Sequence, residues 1–285
     1  MFGALPTELI IEIMQHAAWQ FVADDRPTVV QIAQTSKMAY QVAAPILYRT
    51  MFITDKNIHA LRDLVDSLLA QRVCSLVRVL VAYRSFKLSP VIPFTLFTGV
   101  ESIIGHCDFR APSSSGIVSL REANVTFGHF PQEVANLPPS ARRTLTHVMG
   151  CGTETQGEYR SDPIGWCNKI MAVLPALTHL AFELVDVEQY FGANEDFDIL
   201  IFERVLQTAL ANKRLEYVAI RIAGNFCFHR AEMELLMRRL KNPRVCIWND
   251  TRPLNNWLAE DEQVVTDAVC GRSVWTKAQP LHITS

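Results

Sequence analysis

"ALTHLAFEL", residues 176–184, is a short apolar run with close counterparts before and after it in the chain. "TLTHVMG" occupies residues 144–150 and "RLEYVAIRI" occupies residues 214–222. Each run has a leucine near its start and a ring side chain two residues later: Leu145 with His147, Leu177 with His179, and Leu215 with Tyr217. Such runs predict buried β-strands, with Leu177 and Leu215 buried in neighbouring strands. The recurrence of the histidines at one position indicates a structural role rather than a catalytic one.

Four further runs extend the pattern in both directions, at residues 75–83, 100–109, 119–127 and 243–249. Apolar stretches with helical spacing lie between or before them, at residues 56–72, 166–175, 198–212 and 231–241. A strand followed by a helix, repeated every 20 to 40 residues or so, is typical of a leucine-rich-repeat-like solenoid. The spacing here is irregular. The sequence therefore predicts an α/β fold in which a degenerate solenoid has a short parallel sheet and flanking helices.

The first sixty residues have a different, helical organisation. "ALPTELIIEIMQHAA", residues 4–18, predicts a helix from Leu5-Pro6 to about Phe21, because proline is accepted in a first turn. A short second helix follows at residues 28–36, and Ser36 caps a third segment that extends to residue 53. Pro45 should kink that third helix or end it near Ala44.

The apolar residues of the first helix cover about 200° of its circumference, at 100° per residue. A surface helix needs a stripe of only about 100° towards its own core. Three short helices make a thin core. The wide face is therefore expected to be covered by a partner or by the rest of the chain, unless these are ordinary core residues of a helical domain.

These N-terminal residues resemble an F-box. "LPTELIIEIMQHA" is similar to its opening Leu-Pro-x-Glu-Leu pattern, and "QTSKMAYQVAAPILYRTMFI" is similar to its third helix in the large F-box families of mushroom-forming fungi. The resemblance implies an F-box-like domain at residues 1–54 and a target-binding repeat domain at residues 55–285. It also implies contacts with the Skp adaptor, and through it with cullin, by four residues: Leu5, Pro6, Leu9 and Ile13.

Composition limits the other classes of function. Of the 285 residues, 49% are hydrophobic and 20% are charged, with a net charge of −2, which is typical of a globular protein and argues against nucleic acid as the main ligand. No stretch approaches 18 apolar residues, and the N-terminus does not resemble a signal peptide. We therefore expect no membrane partner and a cytoplasmic or nuclear location, where the seven cysteines would be reduced thiols.

Catalytic motifs are weak in this sequence. Cys151 in "MGCGTE" and the pair His106-Cys107 are the best candidates for a thiol nucleophile with a base. No common hydrolase, nucleotide-binding or metalloprotease motif is present, and the Cys and His spacings fit no closed zinc site. We therefore expect no catalytic residue, no metal and no cofactor. A cysteine-dependent hydrolase centred on Cys151 is the alternative from another class, and a scaffold whose F-box-like helices have turned inward is the alternative among binding proteins.

The end of the chain is rich in tryptophan. Trp248, Trp257 and Trp275 fall in segments similar to the closing region of the fungal proteins, and terminal repeats need caps. We expect these rings to cover the exposed end of the last repeat, with an aromatic cage for a ligand as the alternative. An acidic loop at residues 187–198 either faces a basic partner or is a solvated insertion; its carboxylates are Glu188, Glu195, Asp196 and Asp198. The sequence leaves the target and its binding residues unknown.

Overall fold

A computed structural model describes residues 5–22, 25–54, 57, 60, 63, 67–82, 96–105, 119–125, 137–151, 162–186, 199–224, 230–250, 267 and 274–280. In these residues the protein is an α/β structure with one open sheet. The helices are α1 (Thr7–Phe21), α2 (Arg26–Gln34), α3 (Lys37–Leu47), α4 (Leu68–Cys74), α5 (Pro139–Thr144), α6 (Pro163–Val173), α7 (Ile199–Ala211), α8 (Arg230–Leu240) and α9 (Val274–Lys277).

The sheet follows the order of the chain. Its strands are β1 (Thr50–Ile53), β2 (Val79–Ala82), β3 (Ser102–Gly105), β4 (Glu122–Val125), β5 (His147–Cys151), β6 (His179–Asp186), β7 (Tyr217–Gly224), β8 (Val245–Asn249) and β9 (Gln279–Pro280). Strands β1 to β8 are parallel, and each pairs with its neighbours in sequence. Only β9 runs antiparallel, along β8. All seven apolar runs of the sequence analysis contain a strand, which confirms that part of the prediction.

One face of the sheet packs against helices. The strand residues at this face share one register position and are buried: Leu80, Ile103, Ala123, Val148, Leu180 and Val218. They join α6, α7 and α8 in the main hydrophobic cluster, so the predicted helices at 166–175, 198–212 and 231–241 are confirmed. We call this the helix face.

Leu177 and Leu215 are fully buried in that cluster but do not lie in strands. They precede β6 and β7 by two residues, in the turn that brings the chain from helix to strand. Leu145, Leu120 and Val100 hold the same place before β5, β4 and β3. The prediction of burial is therefore right and the prediction of strand is wrong, because the turn residue points an apolar side chain into the core before strand pairing begins.

Arginines connect consecutive strand–helix units at these turns. Arg214 donates from Nη1 to the Pro175 carbonyl and from Nη2 to the Met171 carbonyl, both at 2.8 Å. Arg244 donates from Nη1 to the Leu215 carbonyl at 2.7 Å and from Nη2 to the carbonyl of Leu210. Carbonyls in the last turn of a helix have no intrahelical partner, so each arginine stabilises the helix end of the preceding unit.

The helices α1, α2 and α3 form a small cluster of their own. Asp25 and Ser36 cap α2 and α3 by accepting from the backbone N–H groups of Thr28 and Ala39. Helix α1 ends at Phe21 as predicted, but it begins at Thr7, with Pro6 as its N-cap rather than in its first turn. Helix α2 begins two residues earlier than the pattern indicated. Their buried contacts come from small and aliphatic side chains: Ala18, Val29, Ala33, Ala43, Ile46 and Leu47.

The third N-terminal segment differs from its prediction. Helix α3 continues through Pro45 to Leu47, rather than ending near Ala44. Pro45 lies in the last turn, so the N–H that it lacks costs one hydrogen bond near a helix end. Beyond Tyr48 the chain forms β1 and pairs with β2, so the segment to residue 53 is helix and then edge strand. Most of the predicted helix at 56–72 lies outside the described residues. Its last part lies within them and belongs to α4.

Candidate functional site

The second face of the sheet carries a row of ring side chains. His147, His179 and Tyr217 are direct register neighbours on β5, β6 and β7. The imidazoles of His147 and His179 stack with centroids 3.9 Å apart and planes 21° apart. The His179 and Tyr217 rings stack at 5.5 Å. We call these three residues the ring ladder and this side of the sheet the ladder face. The structure thus brings together the three residues that the sequence placed at one repeat position.

Each histidine is oriented by the threonine before it. Nδ1 of His147 lies 2.8 Å from Thr146 Oγ1, and Nδ1 of His179 lies 2.8 Å from Thr178 Oγ1. The two hydroxyls donate to backbone carbonyls, Thr146 to Arg121 at 3.2 Å and Thr178 to Thr146 at 3.4 Å. Because each hydroxyl proton is used in this way, we assign the imidazole proton to Nδ1 and leave Nε2 as an acceptor.

The ladder favours neutral imidazoles. Burial, together with the charge that His179 would carry, lowers the pKa of His147 from 6.5 to about 4. Burial also lowers the pKa of His179, against a smaller opposing effect of the Glu216 carboxylate. Burial raises the pKa of the Tyr217 hydroxyl, which hydrogen-bonds with the Cys246 thiol. Two stacked cations at this distance would repel each other, so the stack disfavours the state in which both imidazoles are charged.

The C-terminal segment, defined here as residues 274–280, crosses the ladder face. The Trp275 indole is roughly perpendicular to all three ladder rings. Its centroid lies 5.2 Å from that of His147, 5.6 Å from that of His179 and 6.1 Å from that of Tyr217. Its Nε1–H donates to Glu122 Oε1 at 3.1 Å, on β4. Burial raises the pKa of the Glu122 carboxyl, while this hydrogen bond lowers it by a smaller amount. Trp275 therefore contacts side chains on four strands, β4 to β7, and does not cover the end of the last repeat as predicted.

Small side chains form the floor beneath the segment. Val274 and Ala278 pack on a cluster of four strand residues: Met149, Ala181, Ala219 and Cys246. The Tyr217 hydroxyl donates to the Ala278 carbonyl at 2.9 Å. At the edge, Gln279 and Pro280 pair with Ile247 and Cys246 of β8. The segment thus covers both the edge of β8 and part of the ladder face.

A buried ion pair lies beside the segment on β7 and β8. The Arg221 guanidinium donates from Nε and Nη2 to Asp250 Oδ2, at 3.1 and 2.8 Å, and both side chains are almost fully buried. The guanidinium carbon also lies 4.9 Å from the centroid of the Trp248 ring. An aromatic cage would need that ring for its ligand. The Trp248 ring already contacts the Arg221 guanidinium, which disfavours a cage for an external ligand at this ring. Trp257 lies outside the described residues.

Metal and thiol chemistry can be compared with the described residues of this region. Among the described residues no group of three or more His, Cys, Asp or Glu side chains could hold a metal ion. A metal ligated by imidazole lies in the plane of the ring, and the nearly parallel planes of His147 and His179 share no such point. Burial raises the pKa of three thiols, Cys74, Cys246 and, to about 11, Cys167, which disfavours the nucleophilic thiolate.

The catalytic candidates of the sequence cannot be placed at this site. His106 and Cys107 lie outside the described residues, and Cys151 ends β5 with its side chain outside them as well. The acidic loop with Glu188, Glu195, Asp196 and Asp198 also falls outside. Within the described ranges, every helix is too short or too polar to cross a bilayer.

Of the predicted adaptor-binding residues, Leu9 and Ile13 lie on the surface of α1, and Leu5 and Pro6 immediately precede the helix. Leu5, Leu9 and Ile13 follow one another at intervals of four residues and form an apolar stripe. They are 55%, 44% and 57% exposed, respectively. Pro6 is exposed and its carbonyl accepts from the Ile10 N–H at 3.1 Å. On the same helix Ala18 is fully buried against the bundle. The wide apolar face of α1 is therefore divided between a buried side and an exposed stripe.

Sequence reasoning missed Glu122, Arg221 and Asp250. Two of them carried a signal, because Glu122 and Arg221 are charged residues inside otherwise apolar strands, where an unpaired charge is costly. Aligning "LREANV" with "LTHVMG" would also have placed Glu122 at the histidine position. Comparisons with protein-family models, curated proteins and solved structures found no match for this chain.

The ladder predicts a pH-dependent stability. In the unfolded chain His147 titrates near 6.5, and in the folded protein its pKa is about 4. Between these values the unfolded state binds more protons, so stability falls as the pH decreases from 7. We expect the free energy of unfolding to drop by about 1 kcal/mol between pH 7 and 5, allowing for partial solvent exposure of the ring.

The matched control is His147→Gln/His179→Gln, measured by urea unfolding at each pH. Glu122 titrates in both proteins, and its raised pKa acts in the opposite direction, so the difference between the two profiles isolates the imidazoles. Parallel profiles for the wild type and the double variant would contradict the neutral ladder.

Proposed function

We propose that the chain is the substrate-recognition subunit of a Skp-cullin-F-box type ubiquitin ligase. The observation that carries the proposal is the exposed apolar stripe of Leu5, Leu9 and Ile13 at the start of a three-helix unit. Exposed apolar stripes of this kind mark interaction surfaces. The stripe coincides with the residues whose pattern resembles an F-box. Leu5, Pro6, Leu9 and Ile13 would contact the adaptor.

The remainder of the chain would receive the protein target. A parallel sheet in which each strand lies beside its sequence neighbour, with helices on one face, supports a degenerate leucine-rich-repeat-like domain. The chain would bring its target to the ligase and supply no catalytic group, no metal and no cofactor of its own. A ligase subunit of this kind would work in the cytoplasm or the nucleus.

The test is a titration of purified Skp adaptor against the wild type and a Leu5→Ala/Pro6→Ala variant. We expect the variant to bind at least 10-fold more weakly, because a few buried apolar anchors dominate interfaces of this kind. Both residues are exposed at a helix end, so folding should survive. A Leu9→Ala/Ile13→Ala variant should show a similar loss along the same stripe.

The matched control is Leu68→Ala/Leu69→Ala on α4, where the two side chains are 77% and 69% exposed but lie outside the stripe. This variant should bind the adaptor as the wild type does, with circular dichroism as the folding control for all proteins. Absence of binding by the wild type, or equal binding by the folded stripe variants, would favour the scaffold whose helices meet no adaptor.

A further inference from the structure

We infer that the C-terminal segment is an internal ligand, and that it occupies a groove on the ladder face that binds a short peptide carrying a tryptophan. The target would compete with residues 274–280 for this groove. The inference rests on the proposed function only in taking the sheet as the surface that receives the target; it does not depend on adaptor binding.

The groove has the composition of a side-chain binding site. The stacked rings of His147, His179 and Tyr217 form a row, and one indole lies across this row, roughly perpendicular to all three ring planes. The Glu122 carboxylate accepts a hydrogen bond from the indole N–H, so the site contacts both the apolar ring and its one hydrogen-bond donor. Ala181 and Ala219 leave room on the floor for the backbone that carries the ring. Among the common side chains, tryptophan alone provides such a ring with a donor of this kind.

Within the described residues the C-terminal segment makes few regular contacts. Helix α9 has four residues there and β9 has two, and Pro280 has no N–H to donate to the sheet. Strand β8 has five residues, and the described residues of β9 pair with Cys246 and Ile247. An edge strand is a template for further main-chain pairing. A peptide that paired along all of β8 would form more hydrogen bonds than the two described residues of β9 form.

The described contacts between the C-terminal segment and the ladder face are non-covalent, and residues 251–273 separate Val274 from Asp250 in the sequence. A segment held by such contacts can be replaced by a competitor that makes more of them. Displacement uncovers the ladder rings and Glu122, which a tryptophan-containing target would cover again.

The first experiment measures binding in trans to the full chain. The probe is a synthetic peptide of residues 272–280, RSVWTKAQP, with the fluorophore at its N-terminus. Trp275→Ala removes the internal ring, so we expect this variant to bind the peptide at least 10-fold more tightly than the wild type. A peptide with alanine in place of tryptophan should lose binding to the variant, and Glu122→Ala in the variant background should weaken binding of the original peptide.

Equal binding of the two proteins, or equal binding of the two peptides, overturns the inference. An unfolded Trp275→Ala variant also overturns it, because the ring would then be an integral part of the core. The adaptor titration on Trp275→Ala is the separating control. Unchanged adaptor affinity with altered peptide binding supports the groove, and failure of adaptor binding alone counts against the proposed function only.

Hydrogen exchange on the wild type provides a measurement that needs no variant. The Ala278 N–H donates to the Val274 carbonyl at 2.8 Å, within the C-terminal segment, and the Val218 N–H donates to the Arg244 carbonyl at 2.8 Å, in the sheet. If the segment detaches while the sheet stays folded, the protection factor of Ala278 should be at least 100-fold lower than that of Val218. Equal protection of the two amides would overturn the inference.

Discussion

Replacing Asp250 by alanine should lower the free energy of unfolding by about 3–5 kcal/mol, one of the largest effects expected for any single substitution in this chain. The side chains of Arg221 and Asp250 are only 3% and 2% exposed, and Asp250 Oδ2 accepts two hydrogen bonds from the guanidinium. Removing the carboxylate takes two hydrogen bonds and the opposite charge away from a buried guanidinium. Urea unfolding at neutral pH and constant salt measures the loss.

The control for this prediction replaces both charges together. In Arg221→Met/Asp250→Leu no charge is left buried, and exchanges of buried ion pairs for apolar side chains are often neutral or stabilising. We expect the double variant to recover most of the stability that Asp250→Ala loses. A single-variant loss below about 1 kcal/mol, the usual range for exposed pairs, would contradict a buried pair at this place.

Leu177→Ala should cost about 2–5 kcal/mol of unfolding free energy. Leu177 is fully buried in the main cluster, in the turn that leads into β6. The substitution removes the transfer free energy of the deleted atoms and leaves a cavity between α6 and the sheet, where a strand–helix unit meets its neighbours. Thermal or urea unfolding of the purified variant provides the measurement.

A matched leucine separates burial from side-chain identity. Leu200 on α7 is 60% exposed, so Leu200→Ala should change the unfolding free energy by no more than about 0.5 kcal/mol. Equal effects of the two substitutions, or an unchanged melting temperature for Leu177→Ala, would show that the position before β6 is not part of the core.

The repeated strand pattern could be predicted from sequence because it depends on local chemistry. A leucine in the turn followed by alternating strand residues must occur in every unit that buries one face of a sheet. Strand β1 was missed because the local sequence does not mark it as a strand. "YRTMFI" at residues 48–53 continues an apolar pattern after a helix, and pairing with Val79–Ala82 is what makes Thr50–Ile53 a strand.

The ladder was partly predictable. Equivalent positions in parallel strands lie side by side, so His147, His179 and Tyr217 had to be neighbours once the strands were aligned. The ring that covers them could not be found in this way. Trp275 and Glu122 are separated by 153 positions in the chain, and no local spacing relates two residues that meet through a non-repeating segment.

The N-terminal helix α1 was also predictable only in part. Its pattern determined that α1 has more apolar surface than its own bundle can cover, and Pro6 determined where it begins. The pattern did not determine which part of that surface stays exposed, because Leu9 and Ala18 both belong to the apolar face and the larger of the two is the exposed one. Packing of α2 and α3 decided that Ala18 is buried and that Leu5, Leu9 and Ile13 face outward.

The sequence by itself determined strands β2 to β8, helices α1, α2, α6, α7 and α8 and the shared position of the ladder residues, because periodic burial and helix caps depend on residues close in the chain. Tertiary structure alone decided that Trp275 lies on the ladder, that Arg221 meets Asp250 and that one stripe of α1 is left uncovered. Those contacts form when distant segments pack together, and their free energy comes from burial and pairing that exist only in the folded chain.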